Sequence, residues 1–587
     1  MRGQMFESVK RCLRCGPLSG QPLTEGQWLW LGYLLLLPLY LLPLCMTRFL
    51  PGLDLPIHLS LIDAVLKSGQ TISPQHEIYQ AQFTPSGYFA YYFLLAQLAK
   101  WMPIQLAHRI VMGGAIALLP LACARLLKSY GTSRLPSLMA FPLAYNMPLH
   151  YGFVSFACSI PILVLFLSQL ILVLSREQSL RKDAPYLAGL GVLLYLSHIQ
   201  TYGLALFLTL CLSLLPEFPW QRRIVAVCAV LPSVLLLGVW QSGGIFQSVE
   251  RAPTKNLLYV MKEFWHARVH ELHTPLQYLI DPLRRLLLFQ VHLLRGFMDR
   301  SDQVMANVFL LSLGVYVGLG LLIQRRERQH VPGHRQTRLA RWLPGLLAIG
   351  AYLGLPHHIP EFQTIFPRFA IVAAVLAFPF IPQALGRCPS SWLRGLTLLS
   401  LGPSCLYGMT LSMEYHRFDR ELADFGAVLD AMPPGGKTLG LVYGDKSSRI
   451  LSAGATLVNL PAYYPIERRS AQSLVPIVFC GAPGSPCKTK PGAKALPAVD
   501  QWRPEVFPIA ESVSYFDYFL THAAPPQPLL FGRFADRVEL LATAGKWSVY
   551  RRKRYGAGPS FGYGRRGQRA LEQPSLIDPQ PGQGKPQ

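Results

Sequence analysis

Apolar runs long enough to cross a bilayer recur along the chain, separated by short stretches that carry arginine and lysine. The run Gln27 to Met46 holds ten leucines and no charge. At about −0.5 kcal/mol per central leucine these alone favour insertion by roughly 5 kcal/mol, so the segment reads as a transmembrane helix. Further spans are expected near 107–127, 136–149, 154–175, 185–198, 201–215, 224–243, 304–324, 342–356, 369–386 and 395–412, eleven with the first. The expected fold class is a polytopic α-helical membrane protein of about 11 transmembrane helices filling residues 27–412, with a small α/β domain after them.

Three stretches depart from this pattern. Residues 48–106 form a first loop, in which Tyr88 to Leu98 (YFAYYFLLAQL) is apolar and aromatic but too short to span, as expected of an interfacial or re-entrant helix. Residues 244–303 form a second large loop, where apolar positions alternate with Arg284, Arg285, Arg295 and Arg300, the pattern of a helix lying on a membrane surface. In 413–552 the spacing becomes that of an α/β domain. Lys437 to Tyr443 (KTLGLVY) and Trp547 to Tyr550 (WSVY) read as strands, with Met432 to Gly436 (MPPGG) as the turn before the first. Residues 553–587, rich in Gly, Pro, Arg and Gln, predict a disordered tail.

Charge sets an orientation. Arg2, Lys10, Arg11 and Arg14 precede the first span and no A-x-A-like cleavage site follows it, so residues 1–26 are expected in the cytoplasm ahead of an uncleaved anchor. With eleven spans, the loops carrying Lys128/Arg134, Arg181/Lys182, Arg222/Arg223, Arg325 to Arg341 and Arg387/Arg394 all fall on the cytoplasmic side. The odd count places both large loops and the C-terminal domain on the outer face of the plasma (inner) membrane.

Composition agrees. Of 587 residues 51% are hydrophobic and only 15% charged, where a soluble domain carries about 25% charged residues. A net charge of +24 would point to nucleic acid in a soluble protein. Confined to short loops between apolar runs, it follows the positive-inside rule, and no nucleic-acid partner is expected. Most of the cysteines lie in or beside apolar segments and act as small hydrophobes. Cys12 and Cys15 form a CxxC with no second half of a zinc site. Cys480 and Cys487 close a short loop that an oxidising compartment would bridge. No Walker A loop, dinucleotide fingerprint, HExxH pair or nucleophile elbow is present. Cytoplasmic ATP is therefore not the expected energy source, and an activated lipid donor fits.

The most informative stretch lies just beyond the outer end of the first span: Pro51-Gly-Leu-Asp54-Leu-Pro56-Ile-His58-Leu-Ser-Leu-Ile-Asp63. Pro56 suits the first turn of a helix and Asp54 its N-cap, where the carboxylate would satisfy free N–H groups. Alternatively, Asp54 and His58, one turn apart, could converge on one proton, one metal ion or one phosphate. An acidic residue here resembles the glycosyltransferase C (GT-C) superfamily of polytopic enzymes that use polyprenyl-phosphate-linked sugars. The segment looks like the D-x-P-x-H-L version of the first-loop motif in uncharacterised bacterial members, and the likeness covers roughly residues 27–420. It implies an Asp54 that acts as catalytic base, or as ligand of a divalent cation that organises the site. Two features depart from the lipid-A aminoarabinose and protein mannosyl branches: the corner His150-Tyr-Gly-Phe-Val-Ser-Phe156 has no carboxylate, and Thr84-Pro85 replaces a Lys-Pro.

Transfer from a polyprenyl phosphate also needs a cation for the departing phosphate. The candidate is Arg368 in Phe366-Pro-Arg-Phe369, since an arginine entering the apolar layer is costly unless it has work to do there or snorkels to head groups. His198, His358, Glu77, Tyr415 and Arg417 are further outer-face candidates for substrate contact, with ordinary alternatives as core or interfacial residues. The expected partners are a polyprenyl-phosphate-linked sugar, membrane lipids, and a glycan, lipid or protein acceptor. Two other readings stay open: a flippase-like lipid or glycan carrier, which needs no carboxylate at Asp54, and a non-catalytic membrane scaffold.

Overall fold

The computed structural model describes residues 23–69, 78–175, 180–242, 257–272, 275–328, 338–359, 363–387, 390–451, 454–468, 471–473, 480, 485–490 and 499–553. Cys12, Cys15, Glu77 and the expected disordered stretch after 553 lie outside them. Among the described residues six helices are long and apolar enough to cross a membrane: Glu25–Met46, Ile104–Ser129, Val154–Ser175, Trp220–Trp240, Ser301–Arg326 and Trp392–Glu421. The chain is a mostly helical, multi-pass membrane protein. The first span starts at a capping box: Gln27 N–H donates to Thr24 Oγ1, and the Thr24 N–H returns a bond to Gln27 Oε1 at 2.8 Å.

The remaining expected spans are shorter or interrupted, and prolines account for two of them. Residues 136–149 form no continuous helix. Pro136, Pro142 and Pro148 divide the stretch into Leu135–Met139, Ala140–Leu143 and Met147–Tyr151, because proline lacks an N–H and crowds the preceding turn. The pieces are buried, packed beside Glu25–Met46 and Ser390–Glu421. Residues 369–386 keep only Phe369–Leu376 as α-helix before Pro379 and Pro382 turn the chain. Leu180–Ser197, Ile199–Ser213 and Arg338–Gly354 are continuous but short.

On the expected outer side, the aromatic stretch forms the helix Phe89–Leu98 and the motif segment forms Leu55–Ser68. The second large loop holds Leu257–Glu271 and Pro275–Leu287. Pro275–Leu287 is inside out for a water-facing helix. Leu276, Ile280, Leu283 and Leu287 are exposed, whereas Arg285 is buried. The Arg285 guanidinium pairs with Asp281 at 2.7 Å and caps carbonyls at the end of Arg338–Gly354, that of Leu355 at 2.5 Å. An outward apolar row of this kind matches a helix seated on lipid.

After the 32-residue helix Ser390–Glu421 the chain builds a five-stranded sheet. We number the strands β1 Tyr79–Ala81, β2 Gly436–Val442, β3 Ala471–Ser473, β4 Cys487–Thr489, β5 Tyr518–His522, β6 Val538–Ala544 and β7 Trp547–Arg552. Their order is β3-β2-β5-β7-β6, with β2 parallel to β3 and β5, and β7 antiparallel to β5 and β6. This region is fastened to the first loop. β1 pairs antiparallel with β4, beside a Cys480–Cys487 disulfide. Arg48 pairs with Asp430 at 2.8 Å, and the buried Lys67 Nζ binds both Asp63 and the Pro465 carbonyl at 2.6 Å.

Candidate active site

Asp54 occupies the N-cap position of Leu55–Ser68 with Pro56 in the first turn, but its side chain makes no cap hydrogen bond. Its carboxylate is therefore not spent on the helix. The backbone approaches so closely that its neighbour must be glycine. The Asp54 N–H donates to the Tyr151 carbonyl at 3.1 Å, and a Cβ on Gly152 would lie 2.6 Å from the Asp54 nitrogen. Gly152 also has φ +91, which only glycine adopts freely. The residue as a whole is half-buried. Burial pushes its pKa up to about 6, and the charge of Arg368 pulls the other way.

Arg368 is 7% exposed, at the end of the 3₁₀ turn Phe366–Arg368. Backbone carbonyls hold its fork: Nε donates to Thr364 at 3.1 Å and Nη2 to Gln363 at 2.9 Å, while Nη1 lies 3.5 Å from Gln200 Oε1. The guanidinium stacks on Phe153, 3.6 Å from the ring centroid. These partners are neutral. Arg368 acts on Asp54 through space without forming an ion pair with it.

Aromatic groups lie within reach of each of the two. His58 Nδ1 is 2.6 Å from the Tyr92 hydroxyl, and the ring feels the Gly152 backbone. Burial lowers the His58 pKa to about 4, so it is a neutral imidazole. Tyr88 meets His198 edge to face at 5.0 Å and feels the charge of Arg368. That contact needs Gly87, where a Cβ would come within 2.9 Å of Ile199. His198 is buried, also packs edge-on against Phe156 at 5.0 Å, and caps Ile199–Ser213 by accepting from Gln200 N–H.

The structure thus brings Asp54, His58, His198 and Arg368 together from three separate segments. Other expected contacts are placed elsewhere. Tyr415 is buried against Tyr145 and His150, Arg417 pairs with Glu414 at 2.5 Å, and His358 is exposed beside His357, whose N–H donates to Glu271. Glu77 is among the residues not described. Tyr88, Tyr92 and Phe153 join the site without having been singled out. Tyr88 and Tyr92, four apart in YFAYYF, share one helix face, a signal their burial class alone would hide. For a divalent cation the donor set is poor. Among the described residues no group of three His, Cys, Asp or Glu converges, and His58 Nδ1 is engaged by Tyr92.

No protein-family model matches this sequence. No curated protein matches it either. Among solved structures, the chain is similar to ArnT from Cupriavidus metallidurans bound to undecaprenyl phosphate, at 12% identity and TM-score 0.48, over 91% of this chain and 99% of that one. It is similar to the apo state of the same protein at 12% identity and TM-score 0.47, over 89% and 97%. It is also similar to the arabinofuranosyltransferase AftD from Mycobacteria, at 11% identity and TM-score 0.45, over 91% of this chain and 40% of that longer one.

Proposed function

We propose that this chain is a GT-C-type membrane glycosyltransferase that moves a sugar from a polyprenyl-phosphate donor to an acceptor hydroxyl on the extracytoplasmic side. One observation carries the reading. A carboxylate free of its helix-capping duty and an arginine held only by neutral groups influence each other electrostatically without pairing. Two opposite charges kept apart in this way leave room for a substrate that brings a proton to one and a phosphate to the other.

In the proposed step the acceptor oxygen attacks the anomeric carbon of the donor. Its proton passes to Asp54, and the bond from that carbon to the phosphate oxygen breaks. The products are the glycoside, inverted at the anomeric centre, and polyprenyl phosphate, with the proton on Asp54 released to solvent afterwards. Arg368 holds the leaving phosphate through N–H groups not taken by Thr364 and Gln363. His58 fixes the Tyr92 hydroxyl at the rim. The region from 413 covers the site, and the Cys480–Cys487 disulfide supports its placement in an oxidising compartment.

The experiment is replacement of Asp54 by Asn in protein reconstituted with membrane extract that supplies lipid-linked sugars and acceptors, scored by release of polyprenyl phosphate. Loss of a general base lowers the rate by about 10²–10⁴-fold. A variant inserted at normal levels with the full rate shows that Asp54 is not the base. If such a variant also moved lipid across the bilayer, it would favour a carrier.

A further inference from the structure

The peptide that joins Leu53 to Asp54 is gripped at both ends. Its N–H donates to the Tyr151 carbonyl at 3.1 Å, and its C=O accepts from Asn459 Nδ2 at 2.8 Å. Tyr151 belongs to the corner before Val154–Ser175, whereas Asn459 comes from the C-terminal region, 406 positions beyond Leu53. With both groups engaged, the peptide plane cannot rotate, and the direction in which the Asp54 side chain leaves the backbone is set.

Asn459 is 0% exposed, and its Oδ1 has no hydrogen-bond partner among the described residues. A buried amide with its acceptor unused is unfavourable, and a leucine of similar volume would fill the space without that cost. What a leucine would lack is the donor to Leu53. The surrounding segment is rigid. Leu53, Ala455 and Val458 form an apolar cluster, Leu457 N–H donates to the Asp445 carbonyl at 2.9 Å, and Ala462 N–H to the Asn459 carbonyl at 3.0 Å. The same segment reaches the second large loop, where Met298 N–H donates to Arg449 at 3.0 Å and Leu451 N–H to Gly296 at 2.8 Å.

We infer that Asn459 is a positioning residue for Asp54, through which the C-terminal region sets the placement of the carboxylate by holding the Leu53–Asp54 peptide. This rests on the reading of Asp54 as the base. It gives the region from 413 a part in the chemistry beyond covering the site. A displacement of about 1 Å at a reacting group costs on the order of 10²-fold in rate, so loss of the Asn459 donor acts on turnover and not on donor binding.

The test is a double-mutant cycle of Asn459→Leu and Asp54→Asn in the reconstituted protein, with four readouts: kcat, apparent KM, affinity for undecaprenyl phosphate and thermal midpoint. Asn459→Leu is expected to lower kcat by roughly 10- to 100-fold. Apparent KM, undecaprenyl phosphate affinity and thermal midpoint stay near their original values. In the Asp54→Asn background the second change adds less than about twofold, because the group it positions is already disabled. Full activity of Asn459→Leu, a loss confined to KM, or the same fold loss in both backgrounds overturns the inference. If Asn459→Leu does not fold, Asn459→Ser goes through the same cycle under the same criteria. Failure of the underlying reading looks different: Asp54→Asn alone then keeps the full rate.

Discussion

His58 Nδ1 lies 2.6 Å from the hydroxyl of Tyr92, and this contact restricts what the histidine can do. With the ring buried and neutral beside the Gly152 backbone, the imidazole is already committed to the Tyr92 contact at Nδ1. It orients a phenol that lies within electrostatic reach of Asp54. His58→Ala is therefore expected to cost about 10-fold in kcat, well below the 10²–10⁴-fold of a lost general base. Kinetics of the reconstituted variant measure the difference, and a loss as large as that of Asp54→Asn would make His58 a direct participant.

The pH dependence should belong to Asp54. Its pKa of about 6 stands above the ordinary 3.8 because burial penalises the charge. As a base it works only when ionised, so kcat/KM rises with pH to a midpoint near 6. His58, with a pKa of about 4, is already neutral there and adds no step of its own. A profile flat from pH 5 to 8 would contradict this.

The same shift has a stability consequence of opposite sign. The folded state holds the Asp54 proton more tightly than the unfolded chain does. The stabilisation is fully present below pH 3.8 and is lost as pH rises through about 6. Asp54→Asn, which cannot ionise, should thus have the higher thermal midpoint at pH 7.5, with the gap closing toward pH 5. An enzyme made less stable by this change at pH 7.5 would show that the carboxylate has a favourable partner.

Arg368 should not tolerate lysine. Three of its nitrogens address Thr364, Gln363 and Gln200 while the plane lies on Phe153. An ammonium cannot hold two carbonyls, stack and present a free pair of donors at once. Arg368→Lys should weaken undecaprenyl phosphate binding by about 10-fold or more, a loss of about 1.4 kcal/mol or more. Unchanged affinity would remove the phosphate from this residue.

Much of this was legible in the chain, and the reasons for the rest are physical. Asp54-x-Pro56-x-His58 announced a helix start with a carboxylate, and local sequence is enough to place such a start. The grip on the Asp54 backbone comes from Tyr151 and Gly152, about a hundred positions away, which no local pattern reveals. Arg368 stood out because charge in an apolar run is costly, whereas Tyr88 and Tyr92 were hidden in an aromatic run that reads equally as lipid anchor. Asn459 has no signal at all, since its role comes from one bond to Leu53 across 406 positions. The stretch 136–149 misled because hydropathy does not register that three prolines prevent a continuous helix.

Gly152→Ala should disable the protein through Asp54. A methyl group 2.6 Å from the Asp54 nitrogen, on a backbone at φ +91, must push the two segments apart. Strain of this kind costs on the order of 1–3 kcal/mol before the lost Tyr151 bond is counted. The variant is expected to show a lower thermal midpoint together with a loss of activity. A fully active Gly152→Ala would mean that the grip on Asp54 is looser than the contact distances imply.

The orientation of the chain can be tested at the Cys480–Cys487 disulfide. Cytoplasmic thiols are kept reduced, so if the bridge is present in the cell the region from 413 is expected to face the outside. The described free cysteines Cys45, Cys123, Cys158, Cys211, Cys228 and Cys405 lie in apolar helices and can be replaced to leave a clean background. With Cys12, Cys15 and Cys388 replaced as well, a membrane-impermeant maleimide should label intact cells only after an impermeant reductant has opened the bridge. Loss of a loop this short costs roughly 2 kcal/mol, small enough for the reduced protein to stay folded during labelling. Labelling that requires permeabilised cells would put the C-terminal region in the cytoplasm, and with it Asp54, which Asn459 ties to that region. The proposed extracytoplasmic transfer would then be excluded.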